Sequence, residues 1–593
     1  MTMENGEIAA VLEDVGMLLQ IQGANPFRIR AYENAARAVE DHAVPLRAMV
    51  ADGADLTELP GIGKDMARYI TELVTTGRLS ILDELTAQIP RSLLELVRLP
   101  GVGPKRARKL WESLGITTLD ALEAAARDGH VAELDGFGAK TQQRILDGIA
   151  KLKERGNRLR LVEADERIAP LLTHLRDQAT IRRVEVAGSL RRRLETIGDI
   201  DLLATAADPG AAMEHFTGFR GVAEVTMSGE TRGSVVLSSG LQVDLRIVPE
   251  ESWGAALQYF TGSKAHNVTL RKRAVGMGLS ISEYGVVRSD GTDGNDGNDG
   301  SARGGVRGGR RVAGETEESV YAAVGLPWIP PELREDRGEI ELAERGTLPS
   351  LVTLADLRGD LQMHSTWSDG KESVAAMVDA CAARGYAYLA VTDHSKTLAM
   401  TGGLDAARLR EQWTEMDAVM AERPGIRLLR SMEIDILRDG SLDLEDELIE
   451  RLDVVLVSVH TLLDLPVAAQ TERILKALRH PRVHILAHPT GRLINRRDPI
   501  AFDLDEVLQC ATEHGVSMEL NAHPHRLDLR DTHLIRAREL GIPVVISTDA
   551  HTTRDLDYMR YGVEQARRAG LEPGHVLNTR SAAKLLRHLD AKR

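Results

Sequence analysis

The chain has little that could staple or anchor it. Its two cysteines, Cys381 and Cys510, lie far apart in 593 residues, which excludes a disulfide framework and a zinc knuckle. No apolar run approaches the roughly 18 residues that spanning a bilayer requires, and the opening MTMENGEIAAVLEDVG is acidic without an apolar export core. A soluble chain in a reducing cytoplasm, with no membrane partner, is expected. Six phenylalanines, five tryptophans and nine tyrosines are too few for a chain-long platform on which single-stranded bases could stack. A basic excess is missing as well: Lys and Arg total 74 against 89 Asp and Glu, a net charge of −15, so any face that grips a polyanion must be local. At roughly 100–200 residues per domain, the length argues for about three or four domains.

Apolar residues recur at helical spacing from Ile8 to about Leu152, which predicts an all-α region. After the basic stretch KLKERGNRLR, alternating runs (RRVEVAGS, GDIDLLAT, AEVTMS and SVVLSSGLQVDLRIV) predict a mostly antiparallel sheet, and one helix is expected over Trp253–Val275. The stretch 289–309, with GTDGNDGNDG and SARGGVRGG, cannot bury a core and reads as an insertion. Boundaries are placed at 1–90, 91–157, 158–250, 251–335, a linker over 336–356, and 357–593. In the last part seven short apolar runs (DLQMH, YLAVTDH, IRLLRSMEI, VVLVSVH, HILAHP, VSMEL and PVVISTDAH) mostly alternate with helical stretches. That alternation predicts a parallel (β/α)7 barrel with its reactive groups at the C-terminal strand ends.

Three pieces of the helical region share a pattern: LPGIGKDMARYI, LPGVGPKRARKL and LDGFGAKTQQRI. Each is Gly-apolar-Gly followed by a helix, whose first N–H groups are free to hold an anion. One such pair commonly just connects two packed helices. Three copies, with Gly61, Gly63, Gly101, Gly103, Gly136 and Gly138 beside Lys64, Lys105, Arg106, Lys109 and Lys140, point to phosphate gripping without sequence readout. They resemble the helix-hairpin-helix motifs of DNA repair proteins.

The sharpest chemistry lies in Gly188-Ser189-Leu-Arg191-Arg192-(x)6-Asp199-Ile-Asp201. Residues two apart on a strand face the same way, so Asp199 and Asp201 project together. In LQVDLRIV, Leu241, Val243, Leu245 and Ile247 would face the core, which turns Asp244 outward. Three aspartates suit two Mg²⁺ ions about 3.5–4 Å apart in phosphoryl transfer, with Gly188, Ser189 and Arg192 holding the β- and γ-phosphates. The bland alternative is a solvated strand face paired with arginines.

This segment resembles the nucleotidyltransferase signature, and Tyr259-Phe-Thr-Gly-Ser263-(x)3-Asn267-(x)3-Arg271 resembles that of family X DNA polymerases, over nearly all of the chain from Ile8 to Leu333. The resemblance implies an α+β palm over 158–250 followed by a thumb-like region, with Mg²⁺ or Mn²⁺ at Asp199, Asp201 and Asp244. It adds Gly198 to the nucleotide contacts, puts Tyr259, Phe260 and Gly262 in the sugar pocket, and brings Asn267 and Arg271 to the nascent base pair and template. Deoxynucleoside triphosphates and gapped or nicked DNA with a 5′-phosphate are the implied partners, for an enzyme expected to act as a monomer. Where some members carry a Schiff-base lysine this chain has Tyr69, so no strong deoxyribose-phosphate lyase activity is expected.

At or near the barrel strand ends stand His364, Asp369, His394, Glu433, His460, His488, Asp549 and His551. So many imidazoles and carboxylates in one mouth suit Mn²⁺, Zn²⁺ or Fe²⁺ better than Mg²⁺. The ordered set STWSDG, TDHS, MEI, SVH, AHP, TDAH resembles the PHP (polymerase and histidinol phosphatase) domain, which implies a metal-dependent 3′→5′ exonuclease or 3′-end processing activity. The family begins His-x-His where this chain has Gln362-Met-His364, which puts one of three metal positions in question. Asp393 and His523 are read as supporting or substrate contacts. Against a gap-filling enzyme of two centres stand a phosphoesterase with a DNA-anchoring N-terminal half and a noncatalytic repair scaffold.

Overall fold

The computed structural model describes residues 5–40, 46–59, 61–97, 99, 101–155, 158–289, 309–398 and 401–591. The Gly/Asp-rich stretch 289–309 lies, between its two end residues, outside them. The chain forms two units, 1–157 and 158–593.

The first unit is helical throughout its described residues, around a core that includes Leu12, Val15, Ile70, Leu93, Leu110, Leu122 and Ile145. Its three hairpins are built alike. Ile62, Val102 and Phe137 donate their backbone N–H to the carbonyls of Leu59, Leu99 and Leu134, three residues back. The third residue of each turn is Gly61, Gly101 or Gly136, at φ +85°, +89° and +84°. That is the type II turn, whose third position demands a positive φ and hence glycine. The apolar residue between the glycines is buried and pins the turn to the core. The following helices, Lys64–Thr76, Pro104–Leu114 and Gly138–Arg155, therefore start at a fixed place.

The second unit opens on a five-stranded sheet ordered Ile181–Val186, Ile200–Ala206, Gln242–Ile247, Arg232–Leu237, Val222–Ser228. Only the pair formed by Ile200–Ala206 and Gln242–Ile247 is parallel; the other pairs are antiparallel. Leu241, Val243, Leu245 and Ile247 all point into the core, as the alternation requires. The helix expected over Trp253–Val275 is instead two, Trp253–Thr261 and Lys264–Gly276. Gly262 breaks it at φ +69°, and the Ser263 hydroxyl caps the second helix by accepting from His266 N–H at 3.2 Å. The stretch 336–356 carries the helix Glu339–Glu344, whose Ile340 and Ala343 pack into the core of the preceding region, so it is not a bare linker.

Seven parallel strands in sequential order form the C-terminal barrel, and a bridge between Met363 and Ala550 brings its first and last strands together. Their near-uniform burial explains the unbroken apolar runs. Ile494, Leu527 and Tyr561 of the barrel belong to the same hydrophobic cluster as the five-stranded sheet. Among the described residues no helix is long and apolar enough to cross a membrane.

A buried charge cluster ties the sheet region to the helices that follow it. Glu317 accepts from Arg191 at 2.8 and 2.7 Å, from the fully buried Arg334 at 2.6 Å and from the Trp328 indole at 3.0 Å. Burial alone would raise its pKa, but the two guanidinium groups hold it at about 2. The contribution to stability is complete above the ordinary carboxyl value of 4.5 and is lost as pH falls toward 2. Replacing Glu317 by Gln leaves Arg334 buried without a counter-charge, and should cost about 3–5 kcal/mol. Denaturant melts of wild type and variant at pH 7 test this; a loss under 1 kcal/mol would refute it.

Candidate functional site

The register of the parallel pair sets the first site. Asp201 stands directly opposite Asp244, and Ser234 of the next strand stands opposite Asp244, so these three side chains form one row on one face. Asp199 precedes the strand and is exposed beside them. Gly188, at φ +57°, starts a short helix so close that a Cβ there would collide with the Asp201 carboxylate. Glycine is thus required both by conformation and by space.

Burial raises the Asp201 pKa to about 6, reinforced by repulsion from Asp199 and Asp244 and only partly offset by Arg246 and Arg192. Such a cluster is incomplete without cations, and three oxygen ligands fit a hard divalent ion. Ser234 Oγ makes a short hydrogen bond to Asp244, and Gln242 Nε2 lies 3.3 Å from it. Neither residue carried a motif signal: Ser234 is identified by cross-strand register, and Gln242 by its place two residues before Asp244 on the same strand.

Arg192 and Arg246 lie near this row, where their charge lowers the Asp201 pKa. Arg192 donates to Glu335 at 3.0 Å and to the Thr261 carbonyl at 2.5 Å. Tyr259 and Phe260 meet edge to face at 5.1 Å, and Arg271 and Arg246 lie over their respective rings. The Asn267 amide is engaged within the protein, accepting from Gln258 and donating to the Tyr259 carbonyl, both at 2.7 Å. To meet a base it must leave these partners.

In the helical unit Lys64, Lys105 and Lys140 are exposed near the hairpins. Arg106 and Lys109 are turned inward instead, bonded to the carbonyls of Gly101, Gly136 and Asp135, where they fasten the second hairpin to the third. Tyr69 stacks with Tyr32 at 6.0 Å and offers no amine.

The second site lies at the barrel mouth. Ligand atoms of His364, Asp369, His394 and His551 come within 4.8 Å of one another, as do those of His394, Glu433 and His460, and of His364, Glu433 and Asp549. His488 meets Glu433 at 2.7 Å. All eight predicted residues therefore converge. The buried Nδ1 atoms of His364, His394 and His488 have no hydrogen-bond partner, the condition of imidazoles built to hold a cation. Burial works against charge here, yet Glu433 and Asp435 raise His460 to about 9, and Asp369 and Asp549 raise His551 to about 10. Protons stand in for the positive charge that the carboxylates demand.

Gln362 is fully buried and its side-chain amide lies against the Glu519 carboxyl, whose pKa burial raises well above the ordinary value, reinforced by Asp549 and Glu433. Asp393 fastens Ser365 and Ser368, the chain neighbours of His364 and Asp369, and accepts from Gln412. His523 is half-buried and stacks on His525, and desolvation with the nearby His525 holds its imidazole well below the ordinary pKa. Asn521 and Arg526, which sequence reading missed, reach Asp549 at 3.1 and 3.3 Å. Their place, Asn521 as the last residue of the strand Ser517–Asn521 and Arg526 on the segment after it, was the available signal.

Comparison with known proteins adds the following. A helix-hairpin-helix domain family matches residues 3–79, a SAM-like helix-hairpin-helix tandem family residues 93–151, and a DNA polymerase beta thumb family residues 256–335. The DNA polymerase/3′-5′ exonuclease PolX of Bacillus subtilis (strain 168) is 38% identical over 581 residues, 98% of each chain. A protein named probable phosphatase from Thermoanaerobacter sp. (strain X514) is 26% identical over 231 residues, 35% of this chain and 91% of its own. DNA polymerase lambda of Rattus norvegicus is 25% identical over 360 residues, 56% of this chain and 57% of its own.

The Asp201 shift yields a test. A raised carboxyl pKa makes the neutral form the more stable one, so without metal the folded state loses stability as pH rises from about 4 to 6 and stays penalised above. Asp201→Asn should therefore melt higher than wild type in chelator at pH 7, by about 2–4 °C. Magnesium should raise the melting temperature of wild type only. A lower melting point for the variant in chelator would contradict the crowding of these carboxylates.

Proposed function

Because this chain belongs to the family X DNA polymerases that carry a C-terminal PHP domain, we propose which of its groups perform each part of the work. It is a repair DNA polymerase with 3′→5′ exonuclease activity. Short gaps bearing a 5′-phosphate are the substrate we assign to it, deoxynucleoside triphosphates its co-substrate, and the cytoplasm its setting, as a monomer.

Asp199, Asp201 and Asp244 would hold two divalent cations of the Mg²⁺ or Mn²⁺ class. Such ions activate the primer 3′-hydroxyl and neutralise charge on the attacking and leaving oxygens. The backbone N–H groups at Gly188 and Ser189, with the Arg192 guanidinium, bind the β- and γ-phosphates; Gly198 keeps the approach to Asp199 open. Tyr259, Phe260 and Gly262 shape the sugar pocket. Asn267 and Arg271 meet the nascent pair from the minor groove. In the helical unit the Gly61–Gly63, Gly101–Gly103 and Gly136–Gly138 hairpins, with Lys64 and Lys105, hold backbone phosphates. With Tyr69 in place of an amine, lyase chemistry is not among the activities assigned.

At the barrel mouth His364, Asp369, His394, Glu433, His460, His488, Asp549 and His551 would hold ions of the Mn²⁺, Zn²⁺ or Fe²⁺ class. These supply a hydroxide nucleophile at neutral pH and stabilise charge on the scissile phosphate. The protein's part is to fix the imidazoles and carboxylates at the strand ends, with Asn521 orienting Asp549.

The observation that carries the polymerase assignment is the in-register pairing of Asp201 with Asp244 beside Gly188. On a one-nucleotide gap, Asp244→Ala should reduce extension at least 10³-fold, as loss of a metal-holding carboxylate does, while 3′ degradation continues. Extension by the variant at near wild-type rate would refute the site. A small-molecule phosphoesterase, the reading favoured by the likeness of the barrel to a protein named probable phosphatase, would instead release phosphate from monoesters and never lengthen a primer.

Gap recognition has its own check. A 5′-phosphorylated gap should bind about tenfold tighter than a blunt duplex of equal length, with both affinities falling as salt rises. Equal affinity at every salt concentration would remove the 5′-phosphate from the assignment.

A further inference from the structure

The loop from Gly188 to Asp199 carries both the triphosphate contacts and one of the three carboxylates, yet its own secondary structure is slight. It holds one turn of helix, Gly188–Arg191, and a two-residue strand, Thr196–Ile197. Between them Arg193 sits at φ +56° and ends the short helix, with Leu194 N–H donating to the Ser189 carbonyl at 3.1 Å and Arg193 N–H to the Leu190 carbonyl at 3.0 Å. Beyond that cap, the loop is held at Arg192, Arg193 and Glu195 by residues of the barrel, hundreds of residues away in sequence.

Arg568, at the end of the barrel helix Met559–Arg568, donates to the Arg192 carbonyl at 2.7 Å and to Glu335 at 3.0 Å, and its other nitrogen meets Asp531 at 2.7 Å. Glu564, one turn earlier on that helix, accepts from Arg193 at 2.7 Å, while Asp165 takes Arg193 in a two-pronged pair at 2.8 and 2.6 Å. Arg492, just beyond the ligand His488, holds Glu195 with two bonds, at 3.1 and 2.7 Å. Beneath these pairs Ile494, Leu527 and Tyr561 of the barrel share the hydrophobic cluster of the sheet. Planar, doubly bonded guanidinium pairs that are mostly buried fix orientation as well as distance.

Glu335 is shared in a revealing way. It is the acceptor that holds the Arg192 side chain, and the same oxygen accepts from Arg568. Arg568 thereby divides the negative charge of Glu335 and weakens its hold on Arg192, which leaves Arg192 better able to turn to a triphosphate. Without Arg568, Arg192 would be the principal partner of a half-buried carboxylate.

We propose that the barrel helix Met559–Arg568, together with Arg492, is a positioning element of the polymerase centre: it clamps residues 192–195 from the barrel side and sets Arg192 for the incoming nucleotide. Arg568 and Glu564 touch no substrate in this scheme; they act through Arg192 and Arg193. The inference rests on the assignment of Arg192 to triphosphate binding, so both are measured together in the full chain.

Steady-state extension on a one-nucleotide gap compares wild type with Arg568→Gln, Arg568→Lys, Glu564→Gln and Arg192→Ala. Arg568→Gln should raise the KM for the nucleotide about tenfold, the scale of a small displacement of a binding group, with kcat changed less than KM. Arg568→Lys should recover part of that loss because it keeps a cation beside Glu335. Glu564→Gln should raise KM by a smaller factor, and carries the test if Arg568→Gln does not fold. Gap affinity and 3′ degradation should stay at wild-type values, which a general loss of structure would not allow. If Arg192→Ala raises KM while neither barrel variant does, the positioning role falls and the assignment of Arg192 stands. If Arg192→Ala leaves KM unchanged, that assignment falls and takes the inference with it. A parallel loss of KM, gap affinity and exonuclease in both barrel variants would also overturn it.

Discussion

Carboxylates that converge need positive charge, and both centres of this protein are organised by that requirement. In the sheet the crowding is produced by register: the parallel pairing of Ile200–Ala206 with Gln242–Ile247 sets Asp244 against Asp201. A slip of one residue would turn Asp244 into the core and expose Val243 or Leu245, at a cost in buried apolar surface that no surface interaction offsets. The apolar alternation that stabilises the sheet is therefore what holds the acidic row together. Repulsion along that row raises Asp201 to about 6 and makes the face receptive to divalent ions.

The barrel meets the same requirement with different chemistry. Its strands are buried along their lengths, so only their C-terminal ends offer room for polar side chains, and imidazoles and carboxylates collect there from strands distant in sequence. Burial works against ionisation of Asp369, yet hydrogen bonds from His394 and His551 hold its carboxyl well below the usual range. Glu519, close to this cluster, moves the opposite way, its pKa raised well above the ordinary value by burial and by the neighbouring Asp549 and Glu433. The two acids differ in their neighbours, hydrogen-bonded imidazoles for one and carboxylates for the other.

Much of this was legible in the primary structure because it depends on local rules. The Gly-apolar-Gly hairpins follow from a turn that needs a positive φ three times over, the sheet from alternation, the barrel from strand and helix runs, and the acidic residues from residue type and spacing. The helix expected over Trp253–Val275 was misread because the break at Gly262 and Ser263 depends on a backbone turn that composition does not announce. Asn521 and Arg526 were missed because their partner Asp549 lies across the barrel rather than along the chain.

By itself, then, the order of residues determined which segments are helix, strand and turn, and which chemical groups the chain brings to its centres, since backbone sterics and apolar periodicity act over a few residues. Only the tertiary structure decided that Asp244 stands beside Asp201, that Arg106 and Lys109 fasten hairpins together, that Gln362 pairs with Glu519, and that Arg192 and Arg193 are clamped from the barrel. These are contacts between groups far apart in sequence, and their energies depend on distance, orientation and burial that exist only once the chain has folded.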